Sequence, residues 1–154
     1  MGLQFEWIDW SRAFKSLPVL LTNGTNTALN TIVGGTALND IAPLNWNDQY
    51  VVRTGMQYEW SDRLQLRAGY SYADNLVPAQ TLTPLTSAIM EHSLTLGMGY
   101  QFNHFNLDLA YQWDVPNKEK VGTSGLLAGE YSNSEVDVSV HWFTVSVSLS
   151  DLFN

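Results

Sequence analysis

Residues 49–72 read QYVVRTGMQYEWSDRLQLRAGYSY, a stretch crowded with Tyr, Trp and Arg that contains no run of four apolar residues. Taken at alternate positions it separates into two faces. Tyr50, Val52, Thr54, Met56, Tyr58 and Trp60 share one; Gln49, Val51, Arg53, Gly55, Gln57 and Glu59 share the other. After Ser61-Asp62-Arg63 the pattern resumes, with Leu64, Leu66, Ala68, Tyr70 and Tyr72 set against Gln65, Arg67, Gly69 and Ser71. Successive side chains of a strand point to opposite sides, so this is a hairpin with one apolar and one polar face. Helical spacing would instead mix Arg53, Met56 and Gln57 on one side.

The order along the strand says where the apolar face goes. Aromatic rings stand at both ends, and smaller groups (Val52, Thr54, Met56) fill the middle. Tyr and Trp prefer the membrane–water interface, and transmembrane barrels carry an aromatic girdle at each edge of their apolar band. From Tyr50 to Trp60, at about 3.4 Å per residue and a tilt of about 40°, the strand covers roughly 25–30 Å, the height of that band.

The rest of the chain repeats the pattern. Glu91–Phe102 places His92, Leu94, Leu96, Met98, Tyr100 and Phe102 on one face; Phe105–Val115 does so with Phe105, Leu107, Leu109, Tyr111, Trp113 and Val115. Asn103-His104 between them is a two-residue hairpin turn, and pairing Phe102 with Phe105 keeps both apolar faces on one side. In the last strand, residues 136–149, the phase switches between Trp142 and Phe143, which predicts a bulge there. The first, Leu3–Phe14, is similarly irregular. Tight connections (60–64 and 102–105) alternate with long ones (15–46, 75–90 and 116–134), the layout of bacterial barrels with short periplasmic turns and long external loops.

Bulk composition agrees. Charged residues make up 14% of the 154, the net charge is −8, and mean hydropathy is −0.11, as expected where apolar residues alternate with polar ones. That acidity argues against a nucleic-acid partner, because phosphate binding needs clustered Lys and Arg. No cysteine is present, which excludes disulfides and thiolate metal sites. His92, His104 and His141 lack metal-ligand spacing, there is no nucleophile elbow, and Gly34-Gly35 and Gly122–Gly125 lack the remainder of a phosphate loop. The chain is therefore expected to be no enzyme, with no catalytic residue, metal or cofactor.

Six strands are fewer than the eight of the smallest single-chain barrels, and an open sheet edge in lipid leaves N–H and C=O groups unsatisfied. Met1-Gly2-Leu3 also leads straight into a patterned segment, with no basic start, apolar run or cleavage site of a signal peptide. Both features predict that residues 1–154 are the C-terminal part of one larger antiparallel, up-and-down transmembrane β-barrel.

The motifs carry a resemblance. Trp7–Phe14 (WIDWSRAF), Asp48–Val52 (DQYVV), the run LRAGYSYADNLVPAQ over 66–80, and His92–Tyr100 (HSLTLGMGY) resemble the FadL family in order and spacing, from about Trp7 to Phe153. These are outer-membrane transporters of long-chain fatty acids and, in the related toluene-type channels, of hydrocarbons. The resemblance implies a 14-stranded barrel of the bacterial outer membrane, plugged by an N-terminal hatch, of which this chain supplies the last six strands. It also implies as partners a long-chain fatty acid or other hydrophobic small molecule, outer-membrane lipid, and the remaining strands and hatch. Two features depart from the usual barrel ending: Asn154 follows Phe153, and Asp151 falls where a strand is finishing.

On this reading the lipid-interface aromatics are Tyr50, Tyr58, Trp60, Tyr70, Tyr72, Tyr100, Phe102, Phe105, Tyr111 and Trp113. Pairing Trp60 with Leu64 sets Gln57 opposite Arg67 and Glu59 opposite Gln65, and the lumen-facing candidates are Arg53, Arg67, Gln57 and Glu59. A guanidinium binds a carboxylate head group through two hydrogen bonds; the alternative is that both arginines pair with Glu59, Glu91 or hatch residues. Gly55, Gly69, Gly97 and Gly99 face the same side, either because a hatch packs there or because the strands need relief from crowding. Two other functions remain open: a general porin, or a soluble β-sheet lipid-binding module whose aromatic face is a core.

Overall fold

The computed structural model describes residues 1–149, so Asp151, Phe153 and Asn154 lie outside the described residues. Eight strands form: β1 (Gly2–Ile8), β2 (Ser16–Leu21), β3 (Leu38–Pro43), β4 (Gln49–Ser61), β5 (Leu64–Ala73), β6 (His92–Gln101), β7 (Phe105–Lys120) and β8 (Glu135–Leu149). Six of them make one antiparallel sheet in the order β1-β4-β5-β6-β7-β8, and β2 pairs with β3 as a separate hairpin. The large sheet is an open meander with β1 and β8 at its edges. The fold is all-β.

Register fixes the faces. Phe5 lies opposite Val52, Thr54 opposite Tyr70, Tyr70 opposite Leu94, Leu94 opposite Trp113 and Trp113 opposite His141. Every apolar set read from the sequence in β4–β7 thus falls on a single side. That side is open to its surroundings: Leu96, Val145 and Phe143 are 63%, 68% and 79% exposed. The other side is concave and bounds a trough of about 1010 Å³, lined among others by Arg53, Gln57, Arg67, Ser71, Asp108 and Ser146. Such a sheet is inside-out relative to a soluble one, where burying apolar area is the main stabilising term.

Buried apolar residues gather instead at the rim that carries the long loops. Leu76, Val77, Leu82, Ile89 and Val121 form the core cluster, with Trp10, Trp46, Val136 and Val138 packed against it. Loop backbone is tied into it by side chains: Thr81 Oγ1 donates to the Leu44 carbonyl at 2.7 Å and Asn117 Nδ2 to that of Ile89 at 2.6 Å.

Four expectations are corrected. The Trp142-Phe143 bulge does not exist, because β8 runs unbroken; Val136 and Val138 pack into the rim core while Phe143, Val145 and Val147 face outward below. The irregularity lies across the ladder, in β7, where the register slips between Asp114 and Asn117. Pro116 falls in that slip, and a residue without an N–H suits a position outside the ladder. The first strand ends at Ile8, and Trp10–Ala13 form one helical turn, α1. Residues 15–46, expected to be loop, carry the β2–β3 hairpin and the short helix α2 (Thr27–Val33), whose first N–H groups are capped by the Asn26 side chain. Finally, Ser61 rather than Trp60 pairs with Leu64, because the Ser61 hydroxyl accepts from the Leu64 N–H and shifts the turn by one residue.

Candidate functional site

Among the described residues, two ion pairs cross the trough. β1 and β4 run antiparallel with Gln4 opposite Arg53, which brings Glu6 within reach, and Arg53 Nη1 meets Glu6 Oε2 at 2.6 Å. Arg67 makes a wider set of contacts. Its Nη1 meets Asp108 Oδ1 at 2.7 Å, its Nε donates to Gln57 Oε1 at 3.1 Å and its Nη2 to Gln65 Oε1 at 2.9 Å. Arg67 is on β5 and Asp108 on β7, so the side chain reaches over the whole width of β6.

Glycine makes that reach possible. A Cβ on Gly99 would stand 2.7 Å from Asp108 Oδ1 and 3.3 Å from Arg67 Nη2, and one on Gly97 would touch the Arg67 stem. The two glycines are the floor on which the guanidinium lies flat. Relief of crowding therefore accounts for Gly99, whereas at Gly97 a Cβ would make only ordinary contact at 3.5 Å. All four charged side chains remain about 40% exposed, so each pair contributes at most about 1 kcal/mol and both guanidinium groups stay in contact with the trough. Glu59 is on the same face opposite Gln65 and makes neither pair.

Higher in the trough Asp114 is buried, and three donors satisfy its carboxylate: Ser93 Oγ at 2.5 Å, Gln112 Nε2 at 2.8 Å and Trp142 Nε1 at 3.1 Å. The residues that sequence reading missed at this face are Glu6, Asp108, Asp114 and Trp142. Asp108 and Asp114 do lie on the polar face of their strand by alternation. Which arginine each could meet depends on a three-strand register, and one strand pair does not give that.

At the loop rim, three of the motifs meet. Trp10, Phe14 and Trp46 form an aromatic triad with centroid distances of 5.3 Å, 4.5 Å and 6.1 Å. The Ser11 N–H donates to Asp48 Oδ1 at 3.1 Å and Trp10 Nε1 to Gln49 Oε1 at 3.2 Å. Hydrogen bonding from the Ser11 side chain, and then from its backbone N–H, lowers the Asp48 carboxyl from its ordinary value. Gln49 Nε2 then donates to the Asp74 carbonyl and the Tyr50 N–H to Asp74 Oδ1. WSRAF, DQYVV and YSYADN are consequently one hydrogen-bonded knot.

On the convex face the aromatic residues fall into two bands. The cross-strand pairs Trp7/Tyr50, Tyr72/His92 and Trp113/His141 form the upper one, each pair two residues lower along the strands than the last. That steady drop is what the tilt of barrel strands requires of a level girdle. Tyr58, Trp60, Tyr100, Phe102 and Phe105 form the lower band, with Phe102 stacked on Phe105 at 4.4 Å across the hairpin turn.

The sequence profile of the outer membrane protein transport protein family (OMPP1/FadL/TodX) matches residues 1–150. The chain belongs to this family. FadL-type proteins are bacterial outer-membrane proteins that transport hydrophobic compounds, and the outer membrane is the location of this one. The soluble-module reading lapses with that placement. Among curated proteins, none matches the chain.

Proposed function

We propose that the chain serves passive uptake of long-chain fatty acids or similar hydrophobic compounds, as the C-terminal six strands of a 14-stranded barrel completed by upstream strands and a hatch. Membership of the FadL-type family across residues 1–150 is the observation that carries this reading. The open edges of β1 and β8 support the larger barrel, since unpaired strand edges are not tolerated in lipid. The convex aromatics then meet lipid, and Arg53 and Arg67, still exposed to the trough with Gln57 and Glu59 beside them, meet the solute's carboxylate as it passes.

The test is binding of a long-chain fatty acid, and of the alcohol of equal length, to the complete protein in detergent. Arg67→Ala is expected to weaken binding of the acid by about tenfold, the scale of one charge-assisted hydrogen-bonding group, and to leave the alcohol unchanged. Equal affinity of variant and parent for the acid removes Arg67 from the ligand path. A steady small-ion conductance in planar bilayers, with no binding of either compound, favours a general porin instead. The native product's size bears on the larger barrel. An antibody to residues 75–89 is expected to detect a heat-modifiable outer-membrane band two to three times the 17.3 kDa of this chain; a 17.3 kDa band outside that fraction contradicts it.

A further inference from the structure

The upper aromatic girdle contains the same three-residue unit twice. In one, Tyr70 Oη lies 2.7 Å from His92 Nδ1, with the rings 6.0 Å apart at 22°, and Tyr72 covers the imidazole from the facing strand at 5.2 Å. In the other, Tyr111 Oη lies 2.8 Å from His141 Nδ1, with the rings 6.0 Å apart at 18°, and Trp113 covers the imidazole at 6.3 Å and 7°. Each unit is Tyr-x-aromatic on one strand and a histidine on the next. The register puts both histidines on the convex face, each directly opposite its covering aromatic. Strands β6 and β8 are two ladder spacings apart and His141 lies on the rung of Leu94, two residues along from His92, so the two imidazoles stand about 12 Å apart, room for each to take its own phosphate.

A girdle needs only amphipathic rings, and Tyr or Trp supplies those at less polar cost than imidazole. The repeated geometry serves the ring nitrogens. A phenol is the stronger hydrogen-bond acid, so in the neutral ring Tyr Oη donates to Nδ1 and the ring proton stays on Nε2. If the ring takes up a second proton, Nδ1 becomes a donor and the phenol oxygen accepts it. The pair is thus satisfied in both charge states, and in both Nε2–H is a donor directed away from the phenol. Among the described residues neither imidazole is bonded to a carboxylate. The charged groups nearest in sequence are Glu91, beside His92 but on the opposite face of the strand, and Asp137, which is engaged by Lys118 at 3.0 Å.

We propose that His92 and His141 are a pair of like sites for anionic lipid of the outer leaflet, each Nε2–H donating to an oxygen of one lipid's phosphate. Placement on the long-loop side puts the pair at the external interface. It rests on the outer-membrane location and not on the transport reading, so either can fail alone.

The test uses the complete protein extracted from outer membranes in mild detergent, with bound lipid measured by native mass spectrometry. The probes are phosphatidic acid and phosphatidylcholine with the same acyl chains. The parent is expected to retain phosphatidic acid about tenfold more tightly. The double variant His92→Gln/His141→Gln is expected to show no preference, and Tyr70→Phe/Tyr111→Phe, which keeps every ring and frees Nδ1, an intermediate one; heat-modifiability confirms that both are folded. Equal retention of the two lipids by the parent overturns the sites, as does a preference that survives in both double variants. Release of phosphatidic acid by millimolar inorganic phosphate overturns the lipid as occupant.

Discussion

At the scale of single residues, the inner face shows how glycine and charge are fitted together. Gly55 and Gly99 both point into the trough, yet their surroundings differ. A Cβ at Gly55 would meet only the Ala68 carbonyl at an ordinary 3.5 Å, whereas at Gly99 it would enter the Asp108–Arg67 contact. Gly55→Ala is therefore expected to stabilise the sheet by about 0.5–1 kcal/mol, the backbone entropy that glycine loses in a strand. Gly99→Ala should forfeit that gain, because the new methyl separates two side chains that hold each other in place. Urea unfolding of the two variants in lipid vesicles measures the difference; equal gains would show that the Arg67–Asp108 pair yields without cost.

At the scale of elements, the outer rim behaves as a small folded layer of its own. Leu82 and Ile89 are fully buried there, within a loop. Leu82→Ala is expected to cost about 2–5 kcal/mol, as for other core leucines, and to open residues 75–90 to protease while the strands stay resistant. The Ser11–Asp48 link adds a pH dependence with a definite sign. The folded Asp48 carboxyl titrates below its ordinary 3.8, so the link contributes fully above that value and is lost as pH falls through the lower folded value. Pepsin sensitivity of the rim should rise in that range, and Asp48→Asn should remove the pH dependence. The strands were legible in the sequence because alternation is a local signal: β4 to β7 and their faces follow from it directly. The rim was not. Its core joins Leu76, Val121 and Val136 from three distant segments, and α2, with seven residues, is too short to show a helical period. The phase change in β8 was visible, but its cause was misplaced. A change of apolar face and a bulge look identical in one strand, and only pairing with β7 separates them.

At the scale of the whole molecule, the sheet has an inverted polarity that only lipid satisfies. Within β6, Leu96 lies midway between His92 of the upper girdle and Tyr100 of the lower. The eight residue steps between them span about 27 Å of strand, or roughly 21 Å at a tilt of about 40°. Leu96 thus sits near the bilayer midplane on the convex face. Thr144, on β8, is opposite Ala110 and lines the trough. The same substitution should then have opposite consequences at the two sites. Leu96→Arg places a guanidinium in hydrocarbon and is expected to destabilise the folded protein by about 2–4 kcal/mol, whereas Thr144→Arg enters a polar lumen and should cost little. Reversible unfolding from vesicles, compared with the same proteins in detergent, reads both. The Leu96→Arg penalty should shrink in detergent, where water reaches the convex face more easily, and a similar loss for the two variants in vesicles would mean that the faces have been assigned the wrong way round.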